Sequence, residues 1–144
     1  MSQIPASPGW SLDPQLQRDT VAIGDLPLCR ALLIDDANYP WMLLVPRRRG
    51  IVEIFELDDA DQAQLTSEIV LASNAIKWIT ACDKVNVAAL GNVVAQLHVH
   101  VIARSRGDAS WPKPVWGAVP ARAYDAAARQ ALLAQLRQRL TLAA

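Results

Sequence analysis

The run VVAQLHVHVIA, residues 93–103, constrains the fold more than any other stretch of the chain. Gln96, His98 and His100 share one parity with Arg104, while Leu97, Val99 and Val101 share the other. Successive side chains of a strand point to opposite faces. The run therefore predicts a strand from Val93 to Ala103 with a polar row on one face and an apolar row on the other. A strand of this kind belongs in an antiparallel sheet that has one open face and one face covered by a helix. Both histidines of the chain lie in this run, on the same face.

The rest of the chain supplies the partners of that strand. Asp13-Pro14 reads as an N-cap followed by proline at the first helical position, opening a short helix to about Thr20. Leu28–Ile34 (LCRALLI) and Trp41–Val45 (WMLLV) are short apolar runs on either side of the turn-forming stretch Asp35–Pro40, and they read as a hairpin. Asp58 or Asp59 caps a long helix in which Leu65, Ile69, Ala72, Ile76 and Ile79 form one apolar stripe ending near Cys82. Lys84–Leu90 reads as a strand that Gly91-Asn92 breaks, and residues 123–140 read as a C-terminal helix. Two hairpins separated by a helix predict an α+β fold. It consists of an antiparallel sheet, a long helix packed on one face and a C-terminal helix, in a single domain spanning residues 1–144.

Composition narrows the function classes. The hydrophobic share is 52% and the charged share 19%, which is globular and not disordered. Fourteen basic residues balance fourteen acidic ones, so global charge points to neither nucleic acid nor a membrane surface. The N-terminus MSQIPASPGW lacks a basic region followed by an apolar run, and no apolar stretch approaches the ~18 residues of a membrane span. A cytoplasmic location is expected on those grounds. Cys29 and Cys82 stand apart from each other and read as reduced, buried thiols. His98 and His100 together supply two metal ligands. Catalytic zinc usually needs three from the protein, and no third histidine exists, so no metal is expected.

QLHVHVIAR resembles the histidine triad (HIT) signature, His-φ-His-φ-His-φ-φ with φ hydrophobic, with Gln96 in the first histidine's place. Upstream, Asn86, Gly91 and Asn92 match an asparagine and a Gly-polar pair of the family. LLVPRR matches a strand that ends in proline before basic residues, and Asp35 or Asp36 matches an acidic residue of the first hairpin turn. Trp111-Pro112 resembles the Trp-Pro that follows the signature in some branches. The resemblance covers roughly residues 12 to 117 and is nearest to a bacterial, diadenosine tetraphosphate hydrolase-like branch.

The resemblance implies a nucleotide-binding hydrolase or transferase that needs no cofactor. In the family the middle histidine, here His98, attacks the α-phosphate to form a nucleotidyl-histidine. His100 would then donate to a phosphate oxygen, and Gln96 would keep a hydrogen-bonding role without being able to titrate. Asn86, Gly91, Asn92, Val93 and Arg104 are expected to bind substrate, with Asp35 or Asp36 at the ribose. Homodimerisation is implied as well. The alternative is a nucleotide-binding protein with weak or no turnover, motivated by Gln96. Arg47, Arg48 and Arg49 read as a solvated basic turn or a polyphosphate contact, and Trp111 and Trp116 as a loop that closes the site or reaches a second subunit.

Overall fold

A computed structural model describes residues 1–142. Helix α1 (Pro14–Asp19) leads directly into strand β1 (Thr20–Asp25), followed by β2 (Cys29–Ile34) and β3 (Trp41–Pro46). A 3-10 turn (Ile54–Glu56) precedes the long helix α2 (Asp59–Thr80). Strands β4 (Lys84–Ala88) and β5 (Val99–Arg104) come next, then helix α3 (Ala126–Arg139). The strands form one sheet in the order β1-β2-β3-β5-β4, with every neighbouring pair antiparallel. The α+β architecture, the long helix and the C-terminal helix are those expected from the sequence.

Local chemistry explains the helix ends. The Asp13 carboxylate accepts from the Gln15 N–H at the start of α1, and Asp58 accepts from the Asp61 N–H at the start of α2. Helix α2 closes on Ala81 in the left-handed conformation, with φ at 51°.

Two departures from the sequence reading matter. Thr20–Asp25 is an additional edge strand; of its residues Ile23 alone is buried, and a bulge interrupts its pairing between Ala22 and Gly24. The histidine strand is also shorter than expected. Pairing in β5 begins at Val99, and residues 89–98 cross the sheet edge without joining it. There the Leu97 N–H bonds the Ile51 carbonyl instead.

The division of side chains by parity holds, but the histidine face is not the open one expected: Ile102 shares it, and His98, His100 and Arg104 on it are all buried. Leu97, Val99, Val101 and Ala103 pack with Met42 and Leu44 under Leu65, Ala72 and Ile76 of α2 and Leu133 and Leu136 of α3. The opposite face carries a smaller apolar cluster of Leu16, Leu32, Tyr39, Trp41, Leu43, Val45, Ile102 and Val115. The histidines sit beside this second cluster.

Several buried polar groups are structural. Glu68 on α2 accepts from the backbone N–H groups of Leu28 and Cys29 at 2.9 and 2.8 Å. Arg47 is buried, with its guanidinium donating to the carbonyls of Ile4, Leu26, Pro27 and Leu28. Arg48 pairs with Asp61 of α2. Two of the three arginines in this run thus fasten the N-terminal segment and α2. Cys29 and Cys82 are both free and buried, and burial pushes the Cys29 thiol well above its ordinary pKa.

Candidate active site

His98 lies just before β5 and His100 within it, and both are almost fully buried, at 7% and 6% exposure. Their ring centroids are 4.9 Å apart. The Nδ1 of each ring is taken by a different kind of partner. His98 Nδ1 lies 2.7 Å from the backbone carbonyl of Gln96. A carbonyl can only accept, so the His98 proton resides on Nδ1 and the lone pair on Nε2. His100 Nδ1 lies 2.9 Å from the indole N–H of Trp41, which can only donate. His100 therefore carries its lone pair on Nδ1 and its proton on Nε2. Burial, and secondarily the neighbouring His98, hold the His100 pKa down to about 4.

Both imidazoles line a cavity of about 450 Å³. Leu16, Ile34, Leu43, Leu90 and Val94 give it an apolar wall, with Gln15 and Asp19 of α1 at one side. Gly91, Asn92 and Val93 arch over it, and Gly91 has φ of +79°, a conformation that favours glycine. Val93 is 95% exposed. Trp116 closes the remaining side, its ring 5.1 Å from His100 and 6.1 Å from Trp41.

The structure brings together His98, His100, Gly91, Asn92 and Val93 of the residues expected from the sequence. It separates the others from the cavity. The Gln96 side chain turns to the N-terminal segment, accepting from the Asp13 N–H at 2.8 Å and donating to the Ser11 carbonyl at 2.9 Å. Its service to His98 comes from its backbone carbonyl.

Arg104 has the expected parity but is 1% exposed and held by Asp108 (2.7 Å), Ser110 and Asn86. Its guanidinium also stacks within reach of the Tyr39 and Trp111 rings. Arg104 anchors the loop that carries Trp116, and Asn86 spends its side-chain oxygen on Arg104. Asp35 pairs with Arg129 of α3, and Asp36 accepts from the backbone N–H groups of Asn38 and Arg122. Neither lines the cavity.

The residues that sequence reasoning missed are Gln15, Asp19 and Trp41. The α1 pair carried no motif, and Trp41 read only as the first residue of an apolar strand. Its contact with His100 depends on strand register: Trp41 pairs Ile102 across β3 and β5, and Leu43 faces His100. Among the described residues no three His, Cys, Asp or Glu side chains gather to hold a metal ion, and no helix is long and apolar enough to cross a membrane.

A family model for the HIT domain matches residues 15–107. The chain belongs to the HIT family. Its structure is similar to a histidine triad protein of Bradyrhizobium japonicum, with 57% identity over 92% of this chain and 99% of that one and a TM-score of 0.91. A histidine triad protein of Sinorhizobium meliloti 1021 is 44% identical over 91% of this chain and 97% of that chain, with a TM-score of 0.89. One from Marinobacter aquaeolei VT8 is 42% identical over 93% and 98%, also with a TM-score of 0.89. No curated protein matches the chain in sequence. Within this HIT domain, Gln96 stands in the place of the signature's first histidine.

Proposed function

We propose that this HIT protein binds a nucleotide in the cavity and cleaves it at the α-phosphate through a nucleotidyl-His98 intermediate. Dinucleoside polyphosphates and nucleoside phosphoramidates are the candidate substrate classes. The observation that carries the reading is the His98 hydrogen bond to the Gln96 carbonyl. It fixes the ring, puts a proton on Nδ1 and leaves Nε2 as the nitrogen free to attack.

The surroundings support the same assignment. The apolar wall of Leu16, Ile34 and Leu43 suits a base. Asp19 takes the ribose role first given to Asp35 or Asp36. Both its carboxylate oxygens accept from the Gln15 amide, and a carboxylate has lone pairs left for ribose hydroxyls. The Gly91-Asn92 arch supplies main-chain N–H groups near the phosphate. His100 donates from Nε2 to a phosphoryl oxygen. Turnover does not require a histidine at position 96, since that side chain is engaged elsewhere. This favours an enzyme over a binding protein without turnover.

The reading includes a homodimer. Strand β4 is a sheet edge with Val87 exposed, and Leu90 and Val93 beside the cavity are exposed as well. Light scattering in solution measures that state directly.

The deciding experiment is a substrate panel run on the wild type and on His98→Ala. Loss of turnover with retained nucleotide binding, and a nucleotidyl-histidine trapped only in the wild type, supports the assignment. Equal activity of the two proteins refutes it.

A further inference from the structure

The two histidines of the site are held in opposite tautomers, and this bears on which leaving groups the site can expel. A second proton on His100 would have to sit on Nδ1. That position faces the Trp41 indole N–H at 2.9 Å, and both side chains are buried, at 8% and 6% exposure. Protonation would break a buried hydrogen bond and set two N–H groups against each other, which costs far more than in water.

The other groups packed on His100 do not offset this. They are the His98 ring at 4.9 Å, the Trp116 ring at 5.1 Å, and Leu43 of β3 and Ala88 of β4 on either side in the sheet. The cavity lining contains neither lysine nor arginine, and its one carboxylate, Asp19, is bonded to Gln15. Gln96 cannot titrate and is turned away.

We propose that Trp41 is a positioning residue that keeps His100 a neutral Nε2–H donor, so that the site expels leaving groups that depart without a proton. The inference rests on the nucleotidyl-transfer reading above. It selects phosphoanhydrides, such as dinucleoside polyphosphates, over phosphoramidates.

In the first step the His98 Nε2 lone pair forms the N–P bond. The bond from phosphorus to the bridging oxygen breaks, and its electron pair leaves on that oxygen. The departing phosphate is a stable anion, so a hydrogen bond from His100 Nε2–H is enough and no proton moves. His98 keeps its Nδ1–H on the Gln96 carbonyl, and the intermediate is a nucleotidyl-imidazolium. Water then attacks phosphorus, the N–P electron pair returns to His98 Nε2, and the surplus proton of the water passes from the product to solvent. An amine leaving group differs, because its nitrogen must gain a proton as the bond breaks. A neutral imidazole would become an imidazolate by giving one up.

The test combines a spectroscopic readout with a selectivity readout. Imidazole 15N–1H correlation spectra of the wild type are expected to show His100 protonated on Nε2 alone from about pH 5 to about pH 8. In Trp41→Phe, which keeps an aromatic ring but removes the N–H, His100 is expected to show mixed tautomers and to titrate within that range. The wild type is expected to favour a dinucleoside polyphosphate over adenosine phosphoramidate by about a hundredfold in kcat/KM, the usual worth of a general acid. That preference should narrow in Trp41→Phe as the pH falls. A wild-type His100 protonated on Nδ1, or titrating in that range, overturns the role of Trp41. Equal or faster phosphoramidate cleavage by the wild type overturns the leaving-group preference. Absence of turnover with both substrates refutes the nucleotidyl-transfer reading and the preference with it, while the spectra decide the tautomer without any substrate.

Discussion

Acidification from about pH 7 to about pH 4 is expected to remove about 3 kcal/mol of stability through His100 alone. The folded protein holds this pKa down to about 4, against an ordinary 6.5 in the unfolded chain. Each unit of difference is worth 1.36 kcal/mol, which gives roughly 3 kcal/mol over the gap. Below pH 6.5 the unfolded chain takes up a proton that the folded protein refuses, so stability falls as the pH drops. Most of the loss has accrued by pH 4, and it is complete below that, where the folded His100 takes up its own proton. Because His100 is only 6% exposed, solvent screening takes little off the figure. Asp108, held down to about 2, and Asp25, also lowered, lose their contributions only at more acid pH. Against a total of roughly 5–15 kcal/mol for a domain, the His100 loss is large. The assay is urea unfolding at stepped pH on the wild type and on His100→Asn, whose amide oxygen still accepts from Trp41 and does not titrate. The wild type should lose about 3 kcal/mol more than the variant across the window. Parallel stability curves would refute the reasoning.

Other perturbations test other parts of the site. Arg104→Met leaves the nearly buried Asp108 carboxylate without its counter-ion, held only by the backbone N–H groups of Ser105, Ser110 and Trp111, and should cost about 3 kcal/mol in thermal unfolding, with slower turnover as the Trp116 loop loosens. Gln96→Ala removes two hydrogen bonds to the N-terminal segment and should cost about 1 to 2 kcal/mol. It should speed amide exchange around Ser11–Asp13 while keeping turnover, because the carbonyl that orients His98 remains. Asp19→Asn should raise KM for ribonucleotides about tenfold through loss of a charged hydrogen bond; an equal rise for the 2′,3′-dideoxy analogue places Asp19 away from the ribose.

The legible parts of this protein are those that local periodicity encodes. Alternation placed His98 and His100 on one face, and the α2 stripe found its place over Val99 and Val101. The β1 strand was illegible because it is an edge strand with one buried residue and runs out of α1 without a turn signal. The alternation of Gln96 to Leu97 continued past the true start of β5 because Leu97 still packs under α2 even though its N–H bonds to Ile51. At the site, parity was correct for Arg104 and the family resemblance singled out Asn86, yet neither chooses partners. Asp108, four residues on, captures the guanidinium, and the guanidinium captures Asn86. Trp41 stands 59 residues from His100, so their contact exists only once β3 and β5 are in register. Asp19 reaches the cavity because α1 packs across the sheet, which no spacing rule reports.

His98, the proposed nucleophile, is oriented by a carbonyl, and every amino acid brings one. A signature position that contributes only main chain places no demand on its side chain, which is then free for separate employment. Here glutamine uses that freedom to fasten Ser11 and Asp13 beside the start of the histidine strand. Two properties that look like one in the motif, the chemistry of His98 and the docking of the N-terminal arm, are thus separable at a single residue. An engineer can retune the second by substitution while leaving the first in the hands of the backbone.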